Sequence, residues 1–499
     1  LLDPAERTVD FLGRDAIDLV TWRVRSAAPV AGEVKVTVTG PDGSPCNAAH
    51  RVEFLPPVNL PHTGYVPAPM PATTDYTGLM HYCALWKEGT HYGWGRIEPW
   101  PERRPAIGWY DEGTPEVADW HIKYAVDHGI SGFIYCWYRT DFEPEIHQML
   151  GHAVHDGLHE ARYRDRVKYC IMWENGCAKG VKDADDLLKN LFPFWMKNYF
   201  TNPSYLKVDN MPVLFVWRPE KVGPQLGGAE NTRRAFDAMR AACRAKGFAG
   251  LRIIGCLDKA NRDLQERLAA EGWDATSGYG LRPQGEATVG ADSEGINYSD
   301  HADTLKLYRR EWESRRDAGT LPDIPNVMMG WDPRPWHGAN TPSYRANPAA
   351  ANLEAACREG KALVDAKPAT AWDRGLMVFD NWTEFGEGHY LEPVSGFGFD
   401  FVNAIKRVFC TKWAPEALTD VIPEDVGLAP PERRYQAIRA AYGKQPPWRP
   451  RRIVGDLVAH WSFDATQGGR IADDSGNGFS LAAPRVKAVA GRGGKVLAC

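Results

Sequence analysis

Two carboxylates three residues apart, Glu384 and Glu387, stand in the stretch Asp380-Asn381-Trp382-Thr383-Glu384-Phe385-Gly386-Glu387-Gly388-His389. The stretch follows a short apolar run, Leu376-Met377-Val378-Phe379, that reads as a buried strand. If a helical turn begins there, side chains at i and i+3 lie roughly 5–6 Å apart at Cβ. Glycosidases that retain configuration hold their two carboxyl groups about 5–5.5 Å apart. Trp382 and Phe385 add apolar faces of the kind on which a sugar ring stacks. Glu384 and Glu387 are therefore the candidate catalytic pair, with His389 nearby. The same spacing also describes an ordinary solvated helix face, so the assignment rests on what positions the pair.

From about residue 76 the sequence alternates short apolar runs with amphipathic helical segments. The runs fall at 78–83, 132–137, 167–173, 212–217, 251–257, 273–279, 326–331 and 376–379. Continuous apolar strands separated by helices imply a parallel sheet. Eight such units imply an α/β fold of the (β/α)8 TIM-barrel class, whose catalytic residues gather at the C-terminal strand ends. Those ends carry His81, Tyr82 and Trp86; Trp137, Tyr138 and Arg139; Trp173, Glu174 and Asn175; Trp217 and Arg218; Asp258 and Lys259; Tyr279; Trp331 and Asp332; and Asn381 and Trp382 beside the glutamates. Polar and aromatic side chains thus converge on one rim. Except for Arg139, Asp258 and Lys259, they are the candidate substrate-binding residues.

The 499 residues are too many for one ordinary core, so two to four domains are expected. A net charge of −5 offers no basic field for nucleic acid. No apolar run approaches the roughly 20 residues of a membrane helix. The ten cysteines show no metal-binding spacing and several lie inside apolar runs, so most read as buried thiols; a Cys170–Cys177 pairing stays open. The 14 histidines include no HxH or HExxH, and neither a metal nor a cofactor is expected.

Residues 1–75 alternate polar and apolar positions around the turn Gly40-Pro41-Asp42-Gly43 and are expected to form a small β-sandwich. Pro67, Pro69 and Pro71 then suggest a stiff linker. The barrel is expected over 76–410 and a second linker over 411–455, ending in Pro446-Pro447-Trp448-Arg449-Pro450. A chain that begins Leu1-Leu2-Asp3 without Met is expected to be processed, and a secreted or periplasmic protein, monomeric, is the expectation.

Several motifs carry a resemblance. Pro105-Ala106-Ile107-Gly108-Trp109-Tyr110-Asp111 with Pro115-Glu116-Val117 is similar to a segment of glycoside hydrolase family 99 and its WbsX-like relatives. So are Gly129-Ile130-Ser131-Gly132-Phe133, Tyr205-Leu206-Lys207-Val208-Asp209-Asn210-Met211-Pro212, Gly330-Trp331-Asp332 and Asn381-Trp382-Thr383-Glu384-Phe385-Gly386-Glu387-Gly388. Phe385 stands where that family tends to have Trp, and Trp173-Glu174-Asn175 departs from its longer motif. The resemblance covers about 76–410 and implies a TIM barrel with retaining, endo-acting α-mannosidase chemistry. It implies that Glu384 draws the proton from a sugar 2-hydroxyl, that the 2-oxygen makes an anhydro-sugar, and that Glu387 protonates the leaving oxygen and then activates water. The substrate so implied is an α-linked, mannan-like polysaccharide or oligosaccharide. At 456–499, Trp461-Ser462-Phe463-Asp464 and Asp474-Ser475-Gly476-Asn477-Gly478 resemble the opening of a laminin-G/concanavalin-like domain, which needs well over a hundred residues and so looks truncated.

Two other classes stay open at this point: a glycosyltransferase of surface-polysaccharide synthesis, and a non-catalytic carbohydrate-binding barrel. Sugar identity and linkage are left to the loops 83–108, 281–300 and 333–346.

Overall fold

Eight parallel strands form the centre of the computed structural model: β1 Thr77–Tyr82, β2 Ile130–Arg139, β3 Lys168–Glu174, β4 Met211–Val216, β5 Arg252–Cys256, β6 Ala275–Ser277, β7 Asn326–Met328 and β8 Leu376–Asp380. The structure describes residues 1–9, 20, 22, 24–28, 30–40, 42–54, 60–87, 93–257, 261–280, 287–292, 295–432 and 435–436, with short strand segments between 466 and 498. The hydrogen-bonded order runs β6-β5-β4-β3-β2-β1-β8-β7. The remaining seam is closed by the chain just before β7. Thr276 pairs with Asp323 in parallel, the Thr276 amide donates to Pro322 O at 2.8 Å, and the Ile324 amide donates to Thr276 O at 2.8 Å. The eight expected strands and the TIM-like barrel are therefore what the chain forms.

Helices cover the outside, as a parallel sheet requires of its two faces. α1, Pro115–Asp127, follows β1 and begins with Pro in its first turn, where the missing N–H has no helical partner to lose. Later come α2 Ala229–Ala245, α3 Arg262–Glu271, α4 Thr304–Ala318, α5 Ala350–Asp365 and α6 Asp400–Phe409. Residues 153–160 and 184–200 supply the helical connections after β2 and β3. The Asn261 side chain caps α3 through the Leu264 amide, and Gly272, at φ +93°, ends it in the left-handed region that favours glycine.

The flanking expectations meet a different arrangement. Among the described residues of 1–59, the regular structure is one antiparallel hairpin, Val30–Thr39 with Pro45–Phe54. The expected proline linker packs on the barrel instead. Val66 is buried, the Ala72 amide donates to Val126 O at 3.2 Å, and the Met70 amide donates to the Asp127 carboxylate. Residues 411–432, expected within a linker, also lie against the barrel: Cys410–Lys412 pairs with Thr73–Thr74, and Tyr124 donates to Val421 O at 2.9 Å. The apolar side chains of Val421 and Val426 explain it, since both are buried there. The linker proline run 446–450 and the motifs that carry the laminin-G resemblance lie outside the described residues. The 466–498 region contributes short antiparallel strands. Cys170 is a buried free thiol, so the Cys170–Cys177 pairing does not form.

Candidate active site

The stretch after β8 is not a helix. It is a tight turn in which Glu384 and His389 pair as antiparallel backbone, with the Gly388 amide donating to Phe385 O at 3.3 Å. The helical turn expected from the spacing is thus replaced by a closed loop that still brings Glu384 and Glu387 together. Two glycines make the loop possible. At Gly388, φ is +72°, and a Cβ would lie 2.5 Å from the Asp332 amide nitrogen. At Gly386 a Cβ would meet the Trp336 ring at 1.8 Å, so the indole lies directly against the backbone between the two glutamates.

The loop is pinned from both sides. Asp332 N donates to Glu387 O at 2.8 Å, and Arg103 donates to Phe385 O at 2.7 Å and to the Asp332 carboxylate at 2.5 Å. On the opposite side, Thr383 Oγ1 donates to Cys83 O at 2.7 Å, while Asn381 Oδ1 accepts from the Cys83 and Thr383 amides at 3.3 and 3.1 Å.

The electrostatics separate the two glutamates. Glu384 is 4% exposed, and burial, reinforced by the nearby Glu387 charge, raises its carboxyl well above the usual range. Cys83, also beside it, is held as a neutral thiol by its contact with Cys136 and by burial. The Glu387 side chain is 23% exposed and accepts from His389 Nε2 at 3.1 Å. His389 bonds Asp380 Oδ1 through Nδ1 at 3.2 Å. Burial opposes a charge on His389, but Asp380 and Glu387 outweigh it and raise the imidazole to about 10. His389 is therefore a cation held between two carboxylates. Asp380 stays low despite its burial, because His389 faces it and the Gly280 amide donates to it.

Alternation along each strand decides which expected residues reach this site, because successive side chains point to opposite faces. Tyr138, Tyr279 and Asn381 gather around Cys83: the sulfur lies 3.4 Å from Tyr138 Oη and 3.2 Å from Tyr279 Oη, and Asn381 Nδ2 donates to Tyr279 Oη at 3.3 Å. His81 lies beneath them, its ring edge-on to Tyr279 at 4.8 Å; burial lowers it to about 4 and keeps it neutral. Trp217 meets the Tyr279 ring at 6.3 Å with the Arg218 guanidinium 4.3 Å above it, and Trp331 packs at 5.4 Å from His389.

Other expected rim residues point elsewhere. Tyr82 turns outward to His121 of α1, Oη to Nδ1 at 3.0 Å. Trp137 and Trp173 both pack on Trp195, and Trp382 lies against His121 and Phe133. These four are barrel–helix packing, not rim. Trp86 is buried against Trp94 at 4.1 Å and donates to Thr383 O at 2.7 Å. The Glu174 carboxylate is used by three backbone amides, of Gly176, Cys177 and Ala178. Asn175 is tied to the Arg218 backbone in both directions, and Asp332 to Arg103 and Arg334. Asp258 and Lys259 lie outside the described residues. Cys83, Asp380, Arg103 and Trp336 were not among the expected site residues; Arg103 and Trp336 lie in the loops 83–108 and 333–346 marked for specificity, and Asp380 opens the glutamate stretch.

A family model described as Glycosyltransferase WbsX matches residues 101–405, more than half of the chain and most of the barrel. The chain belongs to the WbsX family. Its curated relatives include a protein named WxcX, described as uncharacterised, from Xanthomonas campestris pv. campestris. The strain ATCC 33913 protein is 26% identical over 346 residues, covering 64% of this chain and 45% of the relative. The WbsX-family chain thus spans less than half the length of the curated relatives it matches. Among solved structures, an endo-α-mannosidase of glycoside hydrolase family 99 from Bacteroides thetaiotaomicron aligns with a TM-score of 0.44 at 15% identity, over 64% of this chain and 89% of that one. A glycoside hydrolase-like protein aligns with a TM-score of 0.48 at 15% identity, over 70% and 98%.

Proposed function

We propose that this WbsX-family barrel is a retaining glycoside hydrolase that cleaves an α-linked, mannan-like polysaccharide through Glu384 and Glu387. The observation that carries the reading is a pair of carboxylates at the C-terminal mouth of the barrel in unlike environments, one buried and raised, the other at the solvent edge on a histidine cation. These environments leave the proton of the free pair on Glu384, so in this reading that proton passes to Glu387 before Glu384 acts as the base.

In this reading Glu384 removes the proton of the sugar 2-hydroxyl. A carboxylate with a raised pKa is the stronger base and is better matched to a hydroxyl. The 2-oxygen attacks the anomeric carbon, the glycosidic bond breaks, and Glu387 gives its proton to the leaving oxygen. Glu387 then takes a proton from water, the water oxygen opens the anhydro-sugar, and the 2-oxygen recovers its proton from Glu384. Glu387 sits at the edge where water arrives, and His389 fixes its orientation. Tyr138, Tyr279, Trp217 and Trp336 present aromatic surface around the mouth, suited to sugar rings.

A second reading is favoured by the family's description as a glycosyltransferase. There the leaving group is the phosphate of a nucleotide-sugar, which departs as an anion without a proton from Glu387, and the acceptor is a sugar hydroxyl in place of water. Incubating the protein with a panel of α-linked polysaccharides, with and without nucleotide-sugars, separates the two. Release of short sugars from a polymer alone is expected. Turnover seen only with a nucleotide-sugar would establish transfer, and binding without turnover would leave a carbohydrate-binding barrel.

A further inference from the structure

The loop that carries both glutamates closes on itself at its base. The Leu391 amide donates to Asn381 O at 2.8 Å, and the Glu392 amide donates to Trp382 O at 3.1 Å. The outgoing limb continues β8 and is fixed by the Trp382 amide, which donates to His81 O at 2.7 Å. The return limb lies outside the barrel sheet, against the segment 102–106. The Ala106 amide donates to Pro393 O at 2.8 Å, and the Ser395 amide donates to Arg104 O at 2.8 Å. Glu384 stands just past the outgoing limb, while Glu387 and His389 lead into the return limb.

Glu392, on the return limb, is fully buried, and both of its carboxyl oxygens are taken. The Tyr110 hydroxyl donates to Oε2, and His121 Nε2 of α1 lies 3.2 Å from Oε1. His121 Nδ1 lies 3.0 Å from Tyr82 Oη, so the chain of contacts ends on β1. Burial and the carboxylate beside it push the Tyr110 hydroxyl far up, and it keeps the proton it donates. Replacing a buried ionic network by apolar side chains of similar volume is often neutral or stabilising. Packing alone therefore does not call for a carboxylate at this position. What the carboxylate adds is direction, because two partners from different elements hold its two oxygens in one place.

We propose that Glu392 is a positioning residue that docks the return limb on Tyr110 and His121 and so sets the placement of Glu387 and His389 against Glu384. Its consequence for turnover rests on the paired-carboxylate reading; the docking itself does not. Glu384 follows the limb that continues β8, and Glu387 precedes the limb that Glu392 holds. A shift of the return limb therefore changes the gap between the two carboxyl groups. A misplacement of about 1 Å costs up to about 10²-fold in rate. The motif at 105–111, which no step of the proposed reaction uses, supplies one of the two groups that hold the limb.

Amide hydrogen exchange of the full chain, read by mass spectrometry at single residues, tests the docking without a substrate. Glu392→Met keeps the length of the side chain and removes both acceptors. It is expected to speed exchange at the Leu391 amide by about tenfold or more, with the Val378 amide of β8, which donates to Pro325 O, unchanged. Tyr110→Phe removes one donor from outside the loop and is expected to speed the same amide by a smaller factor. It decides the matter should Glu392→Met fail to fold. Unchanged exchange at Leu391 would overturn the proposal, and so would an equal rise at Val378, the mark of general destabilisation. Given a substrate, Glu392→Met is expected to lower kcat about 10–10²-fold with KM held within about twofold. Glu392→Gln, which keeps one acceptor, is expected to recover most of the loss. An unchanged kcat, or a change in KM alone, would overturn the role in turnover. Should the wild type turn over no glycan, the hydrolase reading falls, and the exchange result still decides this one.

Discussion

His389 Nε2 lies 3.1 Å from Glu387 Oε2, and the same ring reaches Asp380 with its other nitrogen. Both nitrogens donate, because the imidazole carries a proton on each up to about pH 10. Removing the cation leaves Asp380 fully buried without a counter-charge. His389→Ala is therefore expected to lower stability by about 3–5 kcal/mol, measured by denaturant unfolding. His389→Gln, which keeps one donor, is expected to lose less.

The same pair makes stability depend on alkaline pH. The folded-state value of His389 is raised above the ordinary 6.5 to about 10. Its contribution is fully present below about 6.5, declines above that, and is gone once pH passes about 10. A plot of unfolding midpoint against pH should fall across that window in the wild type. His389→Gln should flatten the fall.

Glu384 carries the opposite sign. A buried carboxyl with a raised pKa costs stability wherever the unfolded chain is ionised. Glu384→Gln is expected to leave the neutral-pH unfolding midpoint unchanged or higher, while turnover falls about 10²–10⁴-fold. As a base, Glu384 also requires that kcat/KM rise with pH through its raised value. A rate that falls through that value would exchange the roles of the two glutamates.

Gly386 is a steric test of the mouth. Any Cβ there meets the Trp336 ring, so Gly386→Ala should displace the indole and raise KM more than it lowers kcat. If the indole is the contact that matters, Gly386→Ala and Trp336→Ala should be strongly non-additive in KM.

Arg103 holds the turn between the glutamates through Phe385 O and Asp332. Arg103→Lys cannot place two donors in the same fork. A roughly tenfold fall in kcat is expected, with a stability loss of about 1–3 kcal/mol, limited because Arg334 still pairs with Asp332. Steady-state kinetics beside urea unfolding would separate the two effects.

The barrel was legible because most of its strands are short apolar runs between helical segments, a pattern set by burial on both faces. The glutamate pair was legible because it follows the last run at once. Which neighbours reach the pair was not. Tyr82, Trp137, Trp173 and Trp382 lie near strand ends in the sequence, yet strand alternation turns them toward the helices. β2 also runs on to Arg139, so Trp137 is not at its end. Cys83 read as one more buried thiol, since nothing local says that its sulfur meets Tyr138 and Tyr279 from other parts of the barrel. Arg103 and Asp332 come together from 229 positions apart in the chain, a contact no local pattern encodes.

The most direct test of the central claim is proton NMR of the first product released from an α-mannan, followed in time, for wild type and Glu387→Gln. The account predicts that the new reducing end appears first as the α anomer and that the variant releases it at least about 10²-fold more slowly. A β anomer appearing first, or an unimpaired variant, would contradict it.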